Sequence, residues 1–447
     1  MALSLSITRK ELRPTLALAI PITAGHVGQM LLGIADTVMV GRVGMVPLAG
    51  IALANILFHV VFVFGIGMLT AVSVGVAIAH GAEDRHEEGE VMRRGLLLAG
   101  LTGIPLAGLL VITPPWLVSL GQDAAVVAVA TPYLFWVAAS MPVALATLAL
   151  KNFTEALSSP WPAFWTGIVA VTLNVFLNWV FIFGNLGAPA LGLTGAGVAT
   201  FIARLFWLGA LFLWMCRDPR FRASLPLGRW FNRINPKELF TMIRLGLPIA
   251  IQLFLEVGAF CAGAFLMGWL GTAALAAHQI AITCAATTFM FPMSLAMAVT
   301  IRVGHVMGSR EPERVAPISA GALGLTLLLA GAFAIMFILA RTTIAGWFTH
   351  EPEALMLAAQ LLVIAGAFQL ADGVQAVAMG ALRGLKDVRI PTILVFVAFW
   401  LISLPLGSLL AFGTDAGPKG IWYGFSSGLL AVAITLTLRL RRQCKRL

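Results

Sequence analysis

Long apolar stretches follow one another along almost the whole chain, and short polar stretches separate them. The first half has apolar runs at about 14–40, 47–79, 94–119, 124–150, 160–184 and 191–215. The second half has them at about 240–270, 275–301, 315–345, 354–382, 390–412 and 420–440. A helix needs about 20 mostly apolar residues to span a bilayer. The pattern therefore predicts twelve transmembrane helices, and the longest runs include interfacial turns or tilt.

The composition agrees with a protein whose surface faces lipid. Sixty per cent of the 447 residues are hydrophobic, only 11% are charged, and the mean hydropathy is +0.96. Soluble domains carry about 25% charged residues, so this chain cannot cover its surface with charge. Nothing at the N-terminus has the pattern of a cleaved signal, and the first apolar run is interpreted as the first span. The predicted fold class is an all-α polytopic membrane protein.

Basic residues concentrate on one side of the predicted membrane. Of the 29 Lys and Arg residues, all but Arg42, Arg341, Lys419 and the intramembrane Arg204 lie at the termini or in even-numbered loops. The loop after the tenth run, for example, is assigned Arg383. The positive-inside rule then predicts that both termini are cytoplasmic, in the inner (plasma) membrane of a bacterium. This distribution also explains the net charge of +10 without nucleic acid as a partner.

The two halves of the chain resemble each other at a shift of 227 residues. The segment LALAIPITAGHVGQ around Pro21 matches LGLPIAIQLFLE around Pro248, and MVGRVGMVPLAG matches LMGWLGTAALAA. A repeat of six helices keeps its orientation in the membrane, so a pseudo-two-fold axis along the membrane normal is expected. The predicted lobes are 1–215 and 240–447, joined by a cytoplasmic linker loop at 216–239. Transporters use this design to alternate access to a central site by rocking the lobes.

Three acids lie inside apolar runs, namely Asp36, Glu256 and Asp372. A charge at the bilayer centre costs about 2.5–3.5 kcal/mol on insertion scales, so such residues usually have a function. Burial disfavours an ionised carboxyl and a nearby cation favours it. These acids are therefore candidates to bind and release H⁺ or Na⁺. The alternative for each is a buried carboxyl that is paired with a structural partner.

Amide and hydroxyl groups accompany the first acid. Asn174 and Asn178 lie four positions apart, on one helix face. Their oxygens can join Asp36 around Na⁺, and Thr200 can add a hydroxyl, although hydrogen bonding between helices is the alternative. Pro21 permits a kink in the first helix. A change of charge at Asp36 could bend the helix there, and a static kink is the alternative.

These segments resemble a known family. GHVGQMLLGIADTVMVGRVG, LGTAALAAHQIAI and GALRGLKDVRIP are similar to the multidrug and toxic-compound extrusion (MATE) transporters of the NorM-like branch, over nearly the whole chain. The resemblance implies two six-helix lobes and export of cationic or amphipathic compounds in exchange for Na⁺ or H⁺. It implies a first-lobe cation site with Asp36, Asn174, Asn178 and Thr200, and a second-lobe site with Glu256 and Asp372.

The resemblance also implies details of these sites. Na⁺ is expected at Asp36, Asn174 and Asn178 or at Glu256 and Asp372, and the three acids are also candidate substrate ligands. The DinF-like branch carries an acid where Asn178 stands here. NorM-like members often carry Tyr one turn before the second-lobe Asp, where this chain has Phe368.

The function predicted from the sequence is secondary active multidrug efflux by alternating access, in exchange for Na⁺ or H⁺. The chain has no G-x-x-x-x-G-K-[ST] segment, and its four cysteines are scattered. We therefore expect no ATP, no other cofactor and no enzymatic activity. The expected partners of a monomer are organic cations and the lipid bilayer.

Two other functions compete with this prediction. A lipid-linked oligosaccharide flippase has a similar architecture but favours basic cavities, and Arg204 is the only signal of that kind. An intramembrane aspartyl protease would need Asp36 and Asp372 within a few ångströms of each other. The repeat assigns these two acids to different lobes, at positions that are not equivalent.

Overall fold

The computed structural model describes residues 2–119, 121–225, 228, 230, 233 and 235–447, and all their side chains except those of 2–9, 31 and 32. This described part contains helices and turns and no strand. Part of the predicted linker 216–239 lies outside it. The helices of the first half are α1 (Ala2–Gly41), α2 (Met45–Gly81), α3 (Arg85–Ile112), α4 (Pro114–Ser119), α5 (Ala124–Ala139), α6 (Met141–Ala156), α7 (Trp161–Phe183), α8 (Leu193–Arg217) and α9 (Pro219–Arg222).

The second half repeats the order of the spans but differs in which span is interrupted. Its helices are α10 (Pro236–Leu270), α11 (Thr272–Gly308), α12 (Val315–Leu339), α13 (Arg341–Gly346), α14 (Pro352–Gly384), α15 (Arg389–Phe396), α16 (Leu404–Gly413) and α17 (Pro418–Cys444). Within the described residues, eleven helical segments are long and apolar enough to span a membrane, and α5 with α6 forms a twelfth, bent by 40°. The predicted twelve spans agree with this count.

The bend between α5 and α6 is a feature that the hydrophobic pattern did not predict, because a single apolar run covers both helices. Ser140 stands at the break, and Pro142 occupies the first turn of α6. Proline has no N–H to donate to the carbonyl four residues earlier, and its ring collides with that carbonyl. The proline therefore explains why one helix ends and another begins at Ser140.

The eleventh span changes its geometry midway. α15 continues through a π-helical segment, Val397–Ser403, into α16. Such wide turns are rare and often mark functional positions. Here Trp400 donates from Nε1 to the carbonyl oxygen of Leu255 on α10, at 3.0 Å. The wide turn therefore braces α10 next to Glu256.

The loops of the two halves share unusual backbone conformations. Gly44 before α2 and Gly271 before α11 have φ of 152° and 125°, in a region that side chains make unfavourable. Glu83 and Arg310, which follow α2 and α11, have φ of 57° and 59°. Two further pairs match: Gly192 (55°) with Gly417 (53°), and Ser158 (58°) with Lys386 (59°). The repeat therefore extends to the backbone of the connections.

Packing divides the chain into two compact units. The first-half unit is Pro21–Ala250, and the second-half unit is Met1–Ile20 with Ile251–Leu447. In the first-half unit α2 packs against α3, α5 and α6, and in the second-half unit α14 packs against α11, α12 and α17. The predicted lobes and linker stay a prediction. The units defined by packing differ from them, because the start of α1 belongs to the second-half unit and the start of α10 to the first-half unit.

α1 and α10 each contribute residues to both units. α1 is one helix through Pro21, where its unit changes, and Pro248 lies three residues before the corresponding change in α10. The predicted kink at Pro21 stays a prediction. The two prolines are 227 positions apart, so the repeat has placed a proline near each change of unit.

Ion pairs anchor both helices near their N-terminal ends. In the second-half unit, Glu11 of α1 accepts hydrogen bonds from Arg302 and, at 3.0 Å, from Nε of Arg314. In the first-half unit, Glu238 of α10 pairs with Arg94 at 3.2 Å. Glu11 and Glu238 are again 227 positions apart. An acid therefore ties the start of each helix to arginines in the unit that holds this start.

Candidate functional site

The first candidate site joins three helices of the first-half unit through side-chain hydrogen bonds. Asn178 on α7 donates from Nδ2 to Oδ1 of Asp36 on α1 at 2.5 Å, and to Oδ1 of Asn174 at 3.1 Å. Asn174 donates from Nδ2 to Oγ1 of Thr200 on α8 at 3.4 Å. All four residues are buried. The structure thus brings together the four residues that the sequence assigns to a first-lobe cation site.

One oxygen of this site has no hydrogen-bond partner in the described part of the chain. It is Oδ1 of Asn178, which is buried. An unsatisfied buried polar group costs about 1–3 kcal/mol. Hard cations bind carboxylate and amide oxygens, and Asp36 and Asn174 offer more of them. The donor set therefore fits Na⁺, and the carboxyl of Asp36 can bind H⁺ instead.

Arg204 on α8 supplies a positive charge near the first site. It interacts electrostatically with Asp36 and with Tyr133. Its Nη1 donates to Oγ of Ser140 at 2.6 Å, and its guanidinium carbon lies 4.4 Å from the ring centroid of Phe58. A cation over an aromatic face is stabilised by the ring quadrupole. Ser140 at the helix break and the ring of Phe58 are therefore partners that sequence reasoning could not name.

The second candidate site lies between α10 and α14 of the second-half unit. Gln375 donates from Nε2 to Oε1 of Glu256 at 3.0 Å, and Arg383 donates from Nη2 to Oε1 of Gln252 at 3.1 Å. Gln252 also hydrogen-bonds to Glu256. Arg383 and Asp372 both interact electrostatically with Glu256. The two acids that the sequence assigns to a second-lobe site are therefore part of one polar cluster.

Sequence reasoning missed three members of this cluster: Gln252, Gln375 and Arg383. The assignment of Arg383 to a loop was wrong, because α14 continues to Gly384 and the arginine side chain lies inside the polar cluster. The spacing contained the signal. Gln252 stands four positions before Glu256, and Gln375 and Arg383 stand three and eleven positions after Asp372, which puts each set on one helix face.

Aromatic rings cover one side of the second site. Phe368, one turn before Asp372, packs its ring 6.1 Å from that of Phe260 and 5.6 Å from that of Trp422. Trp422 in turn lies 5.8 Å from the ring of His278. Phe368 and Trp422 are fully buried. Position 368 therefore contributes packing to the second site and no oxygen ligand.

A further buried ion pair lies in the first-half unit. Lys151 and Glu155 of α6 approach to 3.7 Å, and both are buried. Together with Pro21 and Gln29 of α1 they line a small pocket. The centre of a water-sized sphere can move through a volume of about 20 Å³ inside the pocket. On this measure, a cavity of about 10–15 Å³ holds one water molecule. The pocket is therefore too small for a drug.

This pocket holds the first-half counterparts of two residues of the second site. The shift of 227 carries Gln29 onto Glu256. The shift of 228, which relates the loops after α6 and α14, carries Glu155 onto Arg383. The two halves thus hold charged residues at equivalent places, but the charge differs: Glu155 stands opposite Arg383, and neutral Gln29 stands opposite Glu256.

Comparison with known proteins decides the family. The chain matches the MatE family model over residues 21–180 and again over residues 248–409. The matches begin at 21 and 248, so the predicted repeat with its shift of 227 is confirmed, and together they cover more than half of the chain. This chain belongs to the MATE family.

Two multidrug resistance proteins match this chain over nearly its whole length. The probable multidrug resistance protein NorM of Bradyrhizobium diazoefficiens is 37% identical over 442 residues, which cover 98% of this chain and 94% of that protein. The multidrug resistance protein NorM of Vibrio cholerae is 35% identical over 437 residues, with coverages of 97% and 95%. The predicted membership of the MATE family, NorM-like branch, is confirmed.

The fold agrees with that of a solved MATE transporter. The crystal structure of the eukaryotic transporter AtDTX14 superposes with a TM-score of 0.89 at 22% identity, and 98% of each chain is covered. The predicted all-α polytopic fold with the two-lobe MATE architecture is confirmed. The chain is thus a multi-pass membrane transporter of the MATE family, related in sequence to the NorM multidrug resistance proteins.

Proposed function

We propose that this protein is a secondary active antiporter that exports organic cations or amphipathic drugs in exchange for Na⁺ or H⁺. The unpartnered Oδ1 of Asn178 beside the carboxylate of Asp36 carries the proposal, because it leaves an oxygen ligand free to bind a cation. The names of the NorM relatives support drugs as the cargo.

The setting proposed for this activity follows the sequence. The protein acts as a monomer in the inner membrane of a bacterium, with both termini in the cytoplasm, because its basic residues favour that orientation. Its partners are small organic cations and the lipid bilayer. It needs neither nucleic acid nor a bound cofactor and catalyses no chemical reaction.

The transport cycle alternates access to these sites. Outward-facing protein binds H⁺ or Na⁺ at Asp36, Glu256 and Asp372 and releases the drug. The loaded protein then opens to the cytoplasm, where a new drug molecule binds and the coupling ion leaves. Exchange is tight only if the coupling ion and the drug exclude each other, and competition for the same carboxylates provides this exclusion.

The two alternative functions receive less support. Arg204 was the signal for a lipid-linked oligosaccharide flippase, but its guanidinium already contacts Ser140 and Phe58 and interacts with Asp36. For an intramembrane aspartyl protease, Asp36 would have to share a proton with Asp372. Asp36 is instead hydrogen-bonded to Asn178, which is an amide and no second carboxyl.

The test is efflux of ethidium from membrane vesicles under an imposed Na⁺ or pH gradient. Wild type is compared with Asp36→Asn, Glu256→Gln and Asp372→Asn, and Asp415→Asn serves as the control because Asp415 is exposed outside the sites. We expect one gradient to drive wild type and the control, and each of the three variants to lose most of the coupled efflux. Efflux at the wild-type rate in all three would remove the coupling role, and a wild type driven by neither gradient would remove the antiporter.

A further inference from the structure

Three charged side chains meet in the second site, and their charges do not cancel. Glu256 and Asp372 contribute two acids, while Arg383 contributes one base. Among the described side chains of the second-half unit, the other acids that pair with bases are Glu11 and Glu311 with Arg302 and Arg314, and Asp387 with Arg439. None of these pairs includes a member of the second site. The site therefore lacks one positive charge when both acids are ionised.

The guanidinium of Arg383 is held inside the cluster and keeps its positive charge. Its Nη2 is bound to Gln252, which is itself fully buried and bound to Glu256. Its Nε is buried and has no hydrogen-bond partner among the described residues. An arginine remains protonated in proteins. The guanidinium is thus a permanent, tethered cation that shares the electrostatic field of Glu256.

Because the second site is buried, its unbalanced negative charge favours the binding of a cation. An uncompensated charge is costly in a low-dielectric interior, so a buried site favours the ligand that makes its total charge zero. Gln375 shows where such a ligand can bind: its Nε2 is used by Glu256, while its Oε1 is buried and free of partners in the described structure. The free oxygen of Gln375 thus lies next to Glu256, where it can serve as a ligand for a cation.

We propose that Arg383 sets the charge of the cargo: it neutralises one of the two acids of the second site, so that the site accepts one monovalent cation at a time. The inference rests on the proposed function, because it presumes that organic cations bind at these acids. It adds that a monovalent organic cation and a monovalent coupling ion are interchangeable there. Arg383 is a specificity-determining residue in this view, acting on the cargo through the field at Glu256.

The test uses two ligands of nearly the same shape that differ in charge. These are 1-methyl-4-phenylpyridinium, with one positive charge, and methyl viologen, with two. Binding of the tritiated monovalent ligand to purified full-length protein is measured, and methyl viologen is the competitor. We expect wild type to prefer the monovalent ligand, and Arg383→Gln to shift the ratio of the two dissociation constants by about tenfold toward the divalent one.

Matched variants separate charge from structure. Arg383→Lys keeps the charge and should keep the wild-type ratio, and Arg389→Gln removes an exposed arginine outside the site and should do the same. Asp372→Asn leaves one acid and one base, so it should weaken binding of both cations. The double variant Asp372→Asn with Arg383→Gln again lacks one positive charge, and it should regain the preference for the monovalent ligand.

Several outcomes would overturn the inference. Arg383→Gln could weaken both ligands equally, which is the result for a purely structural residue. The double variant could fail to regain monovalent binding although it elutes as a single species in gel filtration. If wild type binds neither ligand, the proposed function fails together with the inference, whereas an unchanged ratio in Arg383→Gln removes the inference alone.

Discussion

The two candidate sites are built on one repeated backbone but differ in charge and in the way their acids are held. The first site has one acid, Asp36, inside a ladder of amides, and one arginine that is bound to Ser140. The second has two acids and one arginine that is bound to Gln252. The first is therefore suited to a small coupling ion among oxygen ligands, and the second to a bulkier cation drawn by unbalanced charge.

The repeat explains how such a difference can arise. The shifts of 227 and 228 carry Glu256 and Arg383 onto Gln29 and Glu155 of the first-half pocket, and the shift of 227 carries Asp36 onto Gly263. Positions with unusual φ have been kept in both halves. The backbone conformation is thus kept in both halves, while the side chains at equivalent places are free to differ in charge.

The largest expected effect tests which site holds the cargo. The double variant Glu256→Gln with Asp372→Asn should weaken binding of 1-methyl-4-phenylpyridinium by about 100-fold, because losing a buried charge partner costs about 2–5 kcal/mol. Asp36→Asn should change the same dissociation constant by less than about threefold while still stopping coupled efflux. Equilibrium binding to purified protein measures both. The proposed division of roles is wrong if Asp36→Asn weakens binding as much as the double variant does.

The next effect concerns the counter-charge of the first site. Arg204→Gln removes the hydrogen bond to Ser140 and the contact with Phe58, and it leaves Asp36 without a nearby cation. Because Arg204 is partly buried, the loss of stability should be about 2–3 kcal/mol. Thermal unfolding in detergent measures it. Arg204→Lys keeps the charge and should lose less, so an equal loss in both variants would show that the charge is not the cause.

A smaller effect should follow when the first site is given the charge of the second. Asn178→Asp places a second carboxyl beside Asp36, where Asn178 Nδ2 now donates at 2.5 Å. Two adjacent carboxylates favour a cation between them. Binding of ²²Na⁺ should therefore tighten by about tenfold. Asn235→Asp, at an exposed position, is the control, and unchanged binding in Asn178→Asp would mean that Na⁺ does not use this site.

The smallest effect concerns the brace of the second site. Trp400→Phe keeps a ring on the π-helical turn but removes the donor to the carbonyl of Leu255. One hydrogen bond contributes about 1 kcal/mol, so thermal stability should fall slightly and the organic cation should bind about threefold more weakly. Trp347→Phe, on an exposed ring, is the control. A fall in stability without a change of affinity would restrict Trp400 to a structural role.

Hydropathy predicted the spans well because each span must be long and apolar. The run at 191–215, for example, corresponds to α8 at Leu193–Arg217. The same pattern could not predict the break at Ser140 or the π-helical turn, since both replace one apolar helical stretch with another. Pro142 was a visible signal for the break. At the wide turn Ser403 packs closely against Gly428, a contact that only the folded chain displays.

Spacing predicted that Asn174 and Asn178 share one helix face, while the resemblance to the family grouped them with Asp36 and Thr200 on other helices. Spacing would also have predicted most of the second site if the glutamines and Arg383 had been considered with the acids. Arg383 was missed for a physical reason: a long side chain can extend from a helix end into the membrane. As a loop charge Arg383 satisfies the positive-inside rule, so the sequence gives no reason to expect a buried partner for it.

The anchoring of Glu11 has a consequence for the biogenesis of the protein. Its partners Arg302 and Arg314 lie 291 and 303 positions further along the chain. At about 5–20 residues per second, a ribosome needs roughly 15 to 60 seconds to synthesise that stretch. Until then Glu11 lacks both of these native partners, so the segment that enters the membrane first is among the last to acquire its native contacts.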